Sequence, residues 1–117
     1  MKTLMIVEDE QDIRESLCAF ISRHCEVKVF SAANGQEAID VYKVERPDCV
    51  FLDLGLPDMN GLKVLEIIKS MNAQAMVYIV SGFDGAEVKQ KAKELGAQKY
   101  INKPVLFDEL MAIMTAG

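Results

Sequence analysis

Four apolar segments of this chain end in polar side chains that could perform phosphate or metal chemistry. The first is followed by Glu8 and Asp9, the second by Asp53, the third by Ser81 and the fourth by Lys103. Because the carboxyl ends of the strands in an open parallel sheet share one edge, we expect these side chains to meet in one crevice. Three neighbouring carboxylates repel each other unless a proton or a cation neutralises them. The pattern therefore predicts a divalent cation site with a hydroxyl and an ammonium group beside it.

Magnesium is the cation that these donors suit best. It prefers carboxylates, a backbone carbonyl and retained waters in octahedral geometry, and it often binds a substrate phosphate as well. Gly55 and Pro57 make the stretch after Asp53 an irregular turn, so the Gly55 carbonyl is predicted to be a ligand. Mn²⁺ is an alternative ion for the same donors. Asp58 and Asn60 are predicted to be turn and cap residues instead of ligands.

The two remaining groups suit a phosphoryl ligand. The Ser81 hydroxyl can donate a hydrogen bond, and Gly82 beside it lets a ligand approach the backbone. The Lys103 ammonium can reach a phosphoryl oxygen or, when none is present, pair with Asp53. A tight turn at Lys103 and Pro104 would be compatible with a cis peptide bond.

Five apolar segments predict five strands. Thr3–Val7, Cys49–Leu52 and Met76–Val80 are nearly unbroken apolar runs, which is typical of strands covered on both faces. Val27–Phe30 alternates, and the segment at Tyr100–Ile101 is short, so these two are predicted at the exposed edges of the sheet.

The segments between the strands have a helical period. Apolar residues recur at this spacing in four sets: Ile13, Leu17 and Ile21; Leu62, Leu65 and Ile68; Val88, Ala92 and Leu95; Phe107, Leu110, Met111 and Met114. Regular alternation of strand and helix predicts a doubly wound α/β domain with a five-stranded parallel sheet in the order 2-1-3-4-5.

Local signals predict where some helices begin and end. Asn34 with Glu37, and Asp84 with Glu87, are spaced like an N-cap residue and its partner in the first turn. Gly96 is placed to end a helix.

Composition narrows the class of protein. A chain of 117 residues, half of them apolar, can form one domain over residues 1–117 but leaves no room for a second. A net charge of −5 argues against direct binding of nucleic acid. Cys18, Cys25 and Cys49 lack metal-type spacing and are expected to be small buried thiols. With neither a signal peptide nor a membrane-spanning segment in the sequence, we expect a cytoplasmic protein.

Four segments together resemble the receiver domain of bacterial two-component response regulators. They are Val7–Asp9, Leu52–Gly61, Val80–Gly82 and Tyr100–Pro104. The resemblance covers essentially the whole chain, and four segments in the correct order and strand context make coincidence hard to sustain. It implies the five-stranded, flavodoxin-like receiver fold.

The resemblance implies a phosphorelay function. Asp53 would accept a phosphoryl group from the phosphohistidine of a sensor histidine kinase or phosphotransfer protein, with magnesium assisting. Asp9 would be a direct metal ligand and Glu8 would act through a water. Lys103 and Ser81 would stabilise charge on the phosphoryl oxygens. Such a chain is a signalling phosphoacceptor and not an enzyme.

The same resemblance implies a switch and two tuning positions. Ser81 would move toward the phosphoryl group and Tyr100 would turn inward behind it, which changes the face formed by the fourth helix, fifth strand and fifth helix. Gly55 and Phe83 stand at positions that tune phosphate lifetime. We expect Phe83 to shield the acyl phosphate and Gly55 to leave a gap that partly offsets this shielding.

The output is expected to lie in another molecule or segment. No output domain follows in residues 1–117, so the controlled element would be an effector protein or an output domain missing from this chain. A phosphorylation-dependent dimer is one alternative, although Gln98 and Lys99 stand where receivers that dimerise through the output face often carry acids.

Two other classes of protein share this type of sheet. A flavodoxin-like FMN binder would use the same crevice, but the acids at Glu8, Asp9 and Glu10 would repel the flavin phosphate. A phosphatase with an aspartyl nucleophile would need an acid two residues after Asp53, where this chain has Gly55.

Overall fold

Five strands and five helices alternate over the described residues, as the sequence predicts. The computed structural model describes residues 2–105 and 107–115. Its elements are β1 (Lys2–Val7), α1 (Gln11–His24), β2 (Val27–Ala32), α2 (Gly35–Glu45), β3 (Cys49–Asp53), α3 (Gly61–Met71), β4 (Met76–Ser81), α4 (Ala86–Glu94), β5 (Lys99–Asn102) and α5 (Phe107–Thr115).

The strands form one parallel sheet in the order β2-β1-β3-β4-β5. This confirms the predicted doubly wound fold and places the alternating and the short strand at the two edges. Strand β1 lies between β2 and β3, so the chain turns back at this point and leaves a crevice above the ends of β1 and β3.

Both faces of the central strands are covered, which explains their continuous apolar sequence. Met5 and Val7 pack into the core beneath α2, α3 and α4, whereas Leu4 and Ile6 pack into the core that includes residues of α1 and α5. Successive side chains of a strand point to opposite faces, so a strand buried on both sides cannot alternate with polar residues.

The helix stripes are buried less evenly than their period suggests. In α1, Ile21 is fully buried, but Ile13 near the helix start is exposed. In α5, Leu110 is buried and Met111 is half-buried. The predicted core side chain of Phe107 lies outside the described side chains.

Of the two predicted pairs of an N-cap residue with a first-turn glutamate, one is correct. The Asn34 side chain accepts a hydrogen bond from the Glu37 amide at 2.8 Å and caps α2. Asp84 does not cap α4, which begins after Gly85; its carboxylate instead accepts a hydrogen bond from Lys89 Nζ at 2.7 Å. Asp84 binds Lys89 because a charged ammonium forms a stronger hydrogen bond with a carboxylate than a backbone amide does.

The structure also bears on the predictions for Gly96 and for the three cysteines. Gly96 follows α4 with a φ of 97°, the left-handed conformation that glycine adopts most easily at a helix end. Cys18, Cys25 and Cys49 form no disulfide within the described residues and are only half-buried, because they lie at the margin of the core beneath α1 and not at its centre. Within the described residues, no helix is long and apolar enough to cross a membrane.

Candidate functional site

The predicted site residues lie at the carboxyl edge of the sheet. Asp53 ends β3 and Ser81 ends β4, while Glu8 and Asp9 follow β1. One carboxylate oxygen from each of the three acids lies within 4.8 Å of the others. Lys103 joins them because its backbone amide donates to the Ser81 carbonyl at 2.8 Å and extends the pairing of β5 with β4.

The Lys103 ammonium lies between two buried carboxylates. Its Nζ is 2.8 Å from Asp53 Oδ2 and 2.8 Å from Glu8 Oε1. Glu8 is only 3% exposed and Asp53 only 7% exposed. The predicted pairing of Lys103 with Asp53 is therefore present, and Glu8 adds a second partner that the sequence did not indicate.

Burial and pairing act in opposite directions on these groups. Burial raises the pKa of Glu8, while hydrogen bonds from Lys103 and from the Glu10 amide offset part of this rise. Burial by itself would lower the pKa of Lys103, but its hydrogen bonds to Asp53 and Glu8 outweigh burial, and its pKa is raised. Lys103 therefore stays protonated over the neutral range.

The donor set fits a hard divalent cation. Three carboxyl groups meet at this edge of the sheet, and one ammonium group pairs with two of them. Asp9 is exposed, whereas Glu8 is buried and hydrogen-bonded to Lys103 and to the Glu10 amide. Oxygen ligands with this charge suit Mg²⁺ better than a softer metal.

Arg14 is a contributor that the sequence analysis missed. Its Nη1 donates to the Glu8 carbonyl at 2.8 Å and lies 3.5 Å from the Asp9 carbonyl, so it fixes the backbone of the acid pair. A signal was present in the sequence: a cation near the start of a helix is disfavoured by the helix dipole, which suggests a specific partner.

The segment after Asp53 approaches the acceptor carboxylate closely. The Gly55 amide donates to Asp53 Oδ1 at 3.0 Å, so both oxygens of Asp53 are hydrogen-bonded. A Cβ added at Gly55 would lie 3.8 Å from Asp53 Oδ1. Gly55 thus leaves open space directly beside the acid.

Ser81 and Tyr100 are linked through the backbone of Phe83. The buried Ser81 Oγ accepts a hydrogen bond from the Phe83 amide at 3.0 Å, and the Tyr100 hydroxyl donates to the Phe83 carbonyl at 2.7 Å. Lys89, bonded to Asp84, places its Nζ 5.6 Å from the centre of the Tyr100 ring. These contacts fasten Tyr100 to the β4–α4 loop.

Phe83 lines an open groove. The residue is 59% exposed. The groove measures about 800 Å³ and also includes Gly55, Leu62 and Val88 in its lining. The two predicted tuning residues therefore line the same groove beside Asp53.

Residues 4–115 match the response regulator receiver domain family, and the chain belongs to this family. The sequence-based recognition is confirmed. As a class, receiver domains of two-component systems bind Mg²⁺ in an acidic pocket and act with histidine kinases or phosphotransfer proteins and with output domains.

Named relatives and a solved structure support this assignment. Sporulation initiation phosphotransferase F of Bacillus subtilis is 35% identical over 107 residues, which are 92% of this chain and 86% of that protein. The cell cycle response regulator CtrA of Brucella ovis is 33% identical over 109 residues, 93% of this chain but only 47% of that protein. A CheY-like receiver domain protein from Methanospirillum hungatei has a TM-score of 0.94 at 26% identity, covering 99% of this chain and 92% of that one.

Replacing Lys103 with Met tests the electrostatic balance of the site. We expect the free energy of unfolding at pH 7 to fall by about 2–4 kcal/mol, because Glu8 and Asp53 would stay buried without their cation. The loss should shrink toward pH 5. A buried acid with a raised pKa binds more protons in the folded state, so the variant gains stability as pH falls. Urea unfolding at both pH values, without added metal, measures the effect.

Lys63→Met is the matched control, since Lys63 forms an exposed ion pair with Glu66. We expect it to change stability by less than about 1 kcal/mol at either pH. Equal losses for Lys103→Met at the two pH values would contradict the proposed balance.

Proposed function

We propose that Asp53 accepts a phosphoryl group from the phosphohistidine of a histidine kinase or phosphotransfer protein. The main support for this proposal is that both oxygens of this buried carboxylate are held by hydrogen bonds, one from Lys103 Nζ and one from the Gly55 amide. An Asp53 oxygen attacks phosphorus, the bond between phosphorus and the histidine nitrogen breaks, and its electron pair returns to the imidazole. The product is an aspartyl phosphate.

Magnesium would be held by the Asp9 and Asp53 carboxylates and the Gly55 carbonyl, with Glu8 acting through a water. Support for this division comes from Asp9, which is exposed, and from Glu8, which is occupied by Lys103. When bound, the cation would neutralise charge on the acids and on the phosphoryl oxygens. Mn²⁺ could take the same place, because it accepts the same oxygen ligands.

Lys103 and Ser81 would contact the new phosphoryl group. Lys103 already touches Asp53 Oδ2, so its ammonium needs only a small shift to reach an oxygen attached there. Ser81 Oγ accepts from the Phe83 amide, which leaves its hydroxyl hydrogen available for a phosphoryl oxygen. Both contacts stabilise charge that the carboxylate alone could not.

The chain acts as a signalling acceptor in this proposal, and its family assignment favours this role over the FMN-binding and phosphatase alternatives. The match over residues 4–115 to one receiver domain, together with a single sheet, supports reading residues 1–117 as one domain. The controlled element would be an effector protein or an attached output domain.

The output switch would run from Ser81 to Tyr100. If Ser81 turns toward the phosphoryl group, its bond to the Phe83 amide weakens, and the Phe83 carbonyl no longer holds the Tyr100 hydroxyl in place. The affected surface is α4, β5 and α5. Phosphorylation acts only through its different interaction energies with the two states.

The positive charge of the surface formed by α4 and β5 indicates which kind of partner it would bind. Lys89, Lys93 and Lys99 line a groove of about 320 Å³ between α4 and β5, together with Tyr100. Two copies facing each other through this groove would bring like charges together. We therefore expect this groove to bind a different protein and not a second copy of the chain.

Replacing Asp53 with Asn tests the acceptor assignment. We expect wild-type protein incubated with Mg²⁺ and acetyl phosphate to gain the mass of one phosphoryl group, and Asp53→Asn to gain none, because an amide is a poor nucleophile. Omitting Mg²⁺ should abolish the gain. Intact-protein mass spectrometry measures it. Asp40→Asn, at an exposed position on α2, is the control and should label fully. Equal labelling of Asp53→Asn would refute the assignment.

Replacing Tyr100 with Phe tests the switch. Loss of the bond to the Phe83 carbonyl should favour opening of the β4–α4 loop by about 1 kcal/mol, or roughly fivefold faster amide exchange. Hydrogen exchange of residues 82–86 in unphosphorylated protein measures this change. Tyr78→Phe removes a hydroxyl from the neighbouring strand and should leave exchange in this loop unchanged. If Tyr100→Phe and Tyr78→Phe show the same exchange rates in residues 82–86, the Tyr100 hydroxyl does not hold this loop.

Replacing Phe83 with Glu tests its effect on phosphate lifetime. A carboxylate in the groove beside Gly55 could position a water for attack, so we expect loss of phosphate to be at least about tenfold faster. Phe83→Leu keeps an apolar side chain and should preserve the lifetime within about twofold. Decay of the phosphorylated mass after removal of the phosphodonor gives the rates. No acceleration in Phe83→Glu would count against the tuning role.

A further inference from the structure

The loop between β3 and α3, residues 54–60, is hydrogen-bonded to the start of another helix through the side chain of Asp58. Asp58 Oδ1 accepts a hydrogen bond from the Gly35 amide at 2.8 Å, and Oδ2 accepts one from the Gln36 amide at 2.9 Å. These are the first two amides of α2, which have no carbonyl partner within their own helix. The two hydrogen bonds span 23 and 22 residues of sequence.

Two residues from different segments share the capping of α2. Asn34 satisfies the amides of Glu37 at 2.8 Å and Ala38 at 3.1 Å, through its side chain and its carbonyl. Asp58 satisfies the two amides that Asn34 does not reach. A negative charge at a helix start is favourable, and the amides of Gln36 and Gly35 lower the pKa of Asp58.

The loop is also fixed at its base. The Gly61 amide donates to the Leu54 carbonyl at 3.1 Å, and a Cβ at Gly61 would lie 2.6 Å from the Asp53 carbonyl oxygen. Near Asp58, Met59 packs so closely on α2 that a Cβ at Gly35 would lie 2.5 Å from its Cγ. Gly55 lies between these anchors and is itself exposed.

We propose that Asp58 is a positioning residue that holds this loop so that the Gly55 carbonyl can bind the cation beside Asp53. The inference rests on the proposed role of Gly55 as a ligand. A carbonyl on a loose loop must be ordered when the cation binds, and that loss of conformational entropy weakens binding. A loop already anchored on α2 avoids most of this loss.

The same coupling must act in reverse. If the anchored loop favours the cation, the cation favours the anchored loop, because coupling between two sites is reciprocal. Mg²⁺ should therefore slow hydrogen exchange at the Gly35 and Gln36 amides, which are not ligands of the site.

Calorimetric titration with MgCl₂ tests the proposal on the intact chain. We expect the Kd of Asp58→Ala to rise about tenfold relative to wild type, the lower end of the effect of losing a residue that supports metal ligands. Asp58→Asn keeps one acceptor oxygen for the two amides and should fall between them. Neither change alters a proposed ligand.

Asn34→Ala is the matched control, because it removes the other cap of the same helix without touching the loop. We expect Asn34→Ala and Asp58→Ala to lower the thermal midpoint similarly, while Asn34→Ala keeps the wild-type Kd. In the exchange experiment, Mg²⁺ should protect the Gly35 and Gln36 amides in wild type and in Asn34→Ala, but not in Asp58→Ala.

Two results would overturn the proposed role of Asp58 and leave the proposed cation site intact. One is a wild-type Kd for Mg²⁺ in Asp58→Ala, and the other is an equal loss of Mg²⁺ affinity in Asp58→Ala and Asn34→Ala. The second would mean that Asp58 acts only through the stability of α2. Failure of wild type to bind Mg²⁺ at all would instead overturn the proposed cation site and this inference with it.

Discussion

A single ammonium group between two buried carboxylates is the interaction on which the site depends. Lys103 lies 2.8 Å from both Glu8 and Asp53, and it reaches them because β1, β3 and β5 end at the same edge of the sheet. One cation cannot balance the three acids that meet there. The fold therefore brings carboxylates together, and a divalent cation bound there would relieve their repulsion. Affinity for the proposed cation would come from a charge arrangement that is unfavourable without it.

The sequence predicted those parts of the fold that depend on burial alone. A strand covered on both faces must be apolar at every position, as Leu4 and Met5 show by packing into opposite cores. An edge strand escapes this requirement, so the alternation in β2 marked its position. The site could be predicted for a related reason. In a parallel sheet, strand order determines which strand ends are neighbours, so Asp53, Ser81 and Lys103 could be grouped before any distance was known.

The sequence-based predictions were wrong or incomplete for polar side chains that can choose between several hydrogen-bond partners. Asn34 was predicted correctly because its partner lies three residues along the chain. Asp84 had the same local pattern, but Lys89 offered a charged partner. Arg14 binds backbone groups whose proximity only the folded chain creates. Asp58 was predicted to be a turn or cap residue, but local spacing did not indicate that it caps α2. Local spacing identifies a polar group that can cap or bind, while tertiary structure decides what it contacts.

Weak contacts around Tyr100 suit the proposed switch, which a single phosphoryl group would have to move. The path from Ser81 to Tyr100 consists of two hydrogen bonds to Phe83, each contributing about 1 kcal/mol. Tyr100 is half-buried, so turning it does not require opening a packed core. An energy gap of a few kcal/mol between two states can be reversed by differential contacts to one new group. In contrast, the loop that carries Gly55 is held at its base and on α2, as the proposed cation site would require. The same edge of the sheet thus combines a loop held by several contacts with a second loop held by few, which is what the proposed reception and transmission of a signal would need.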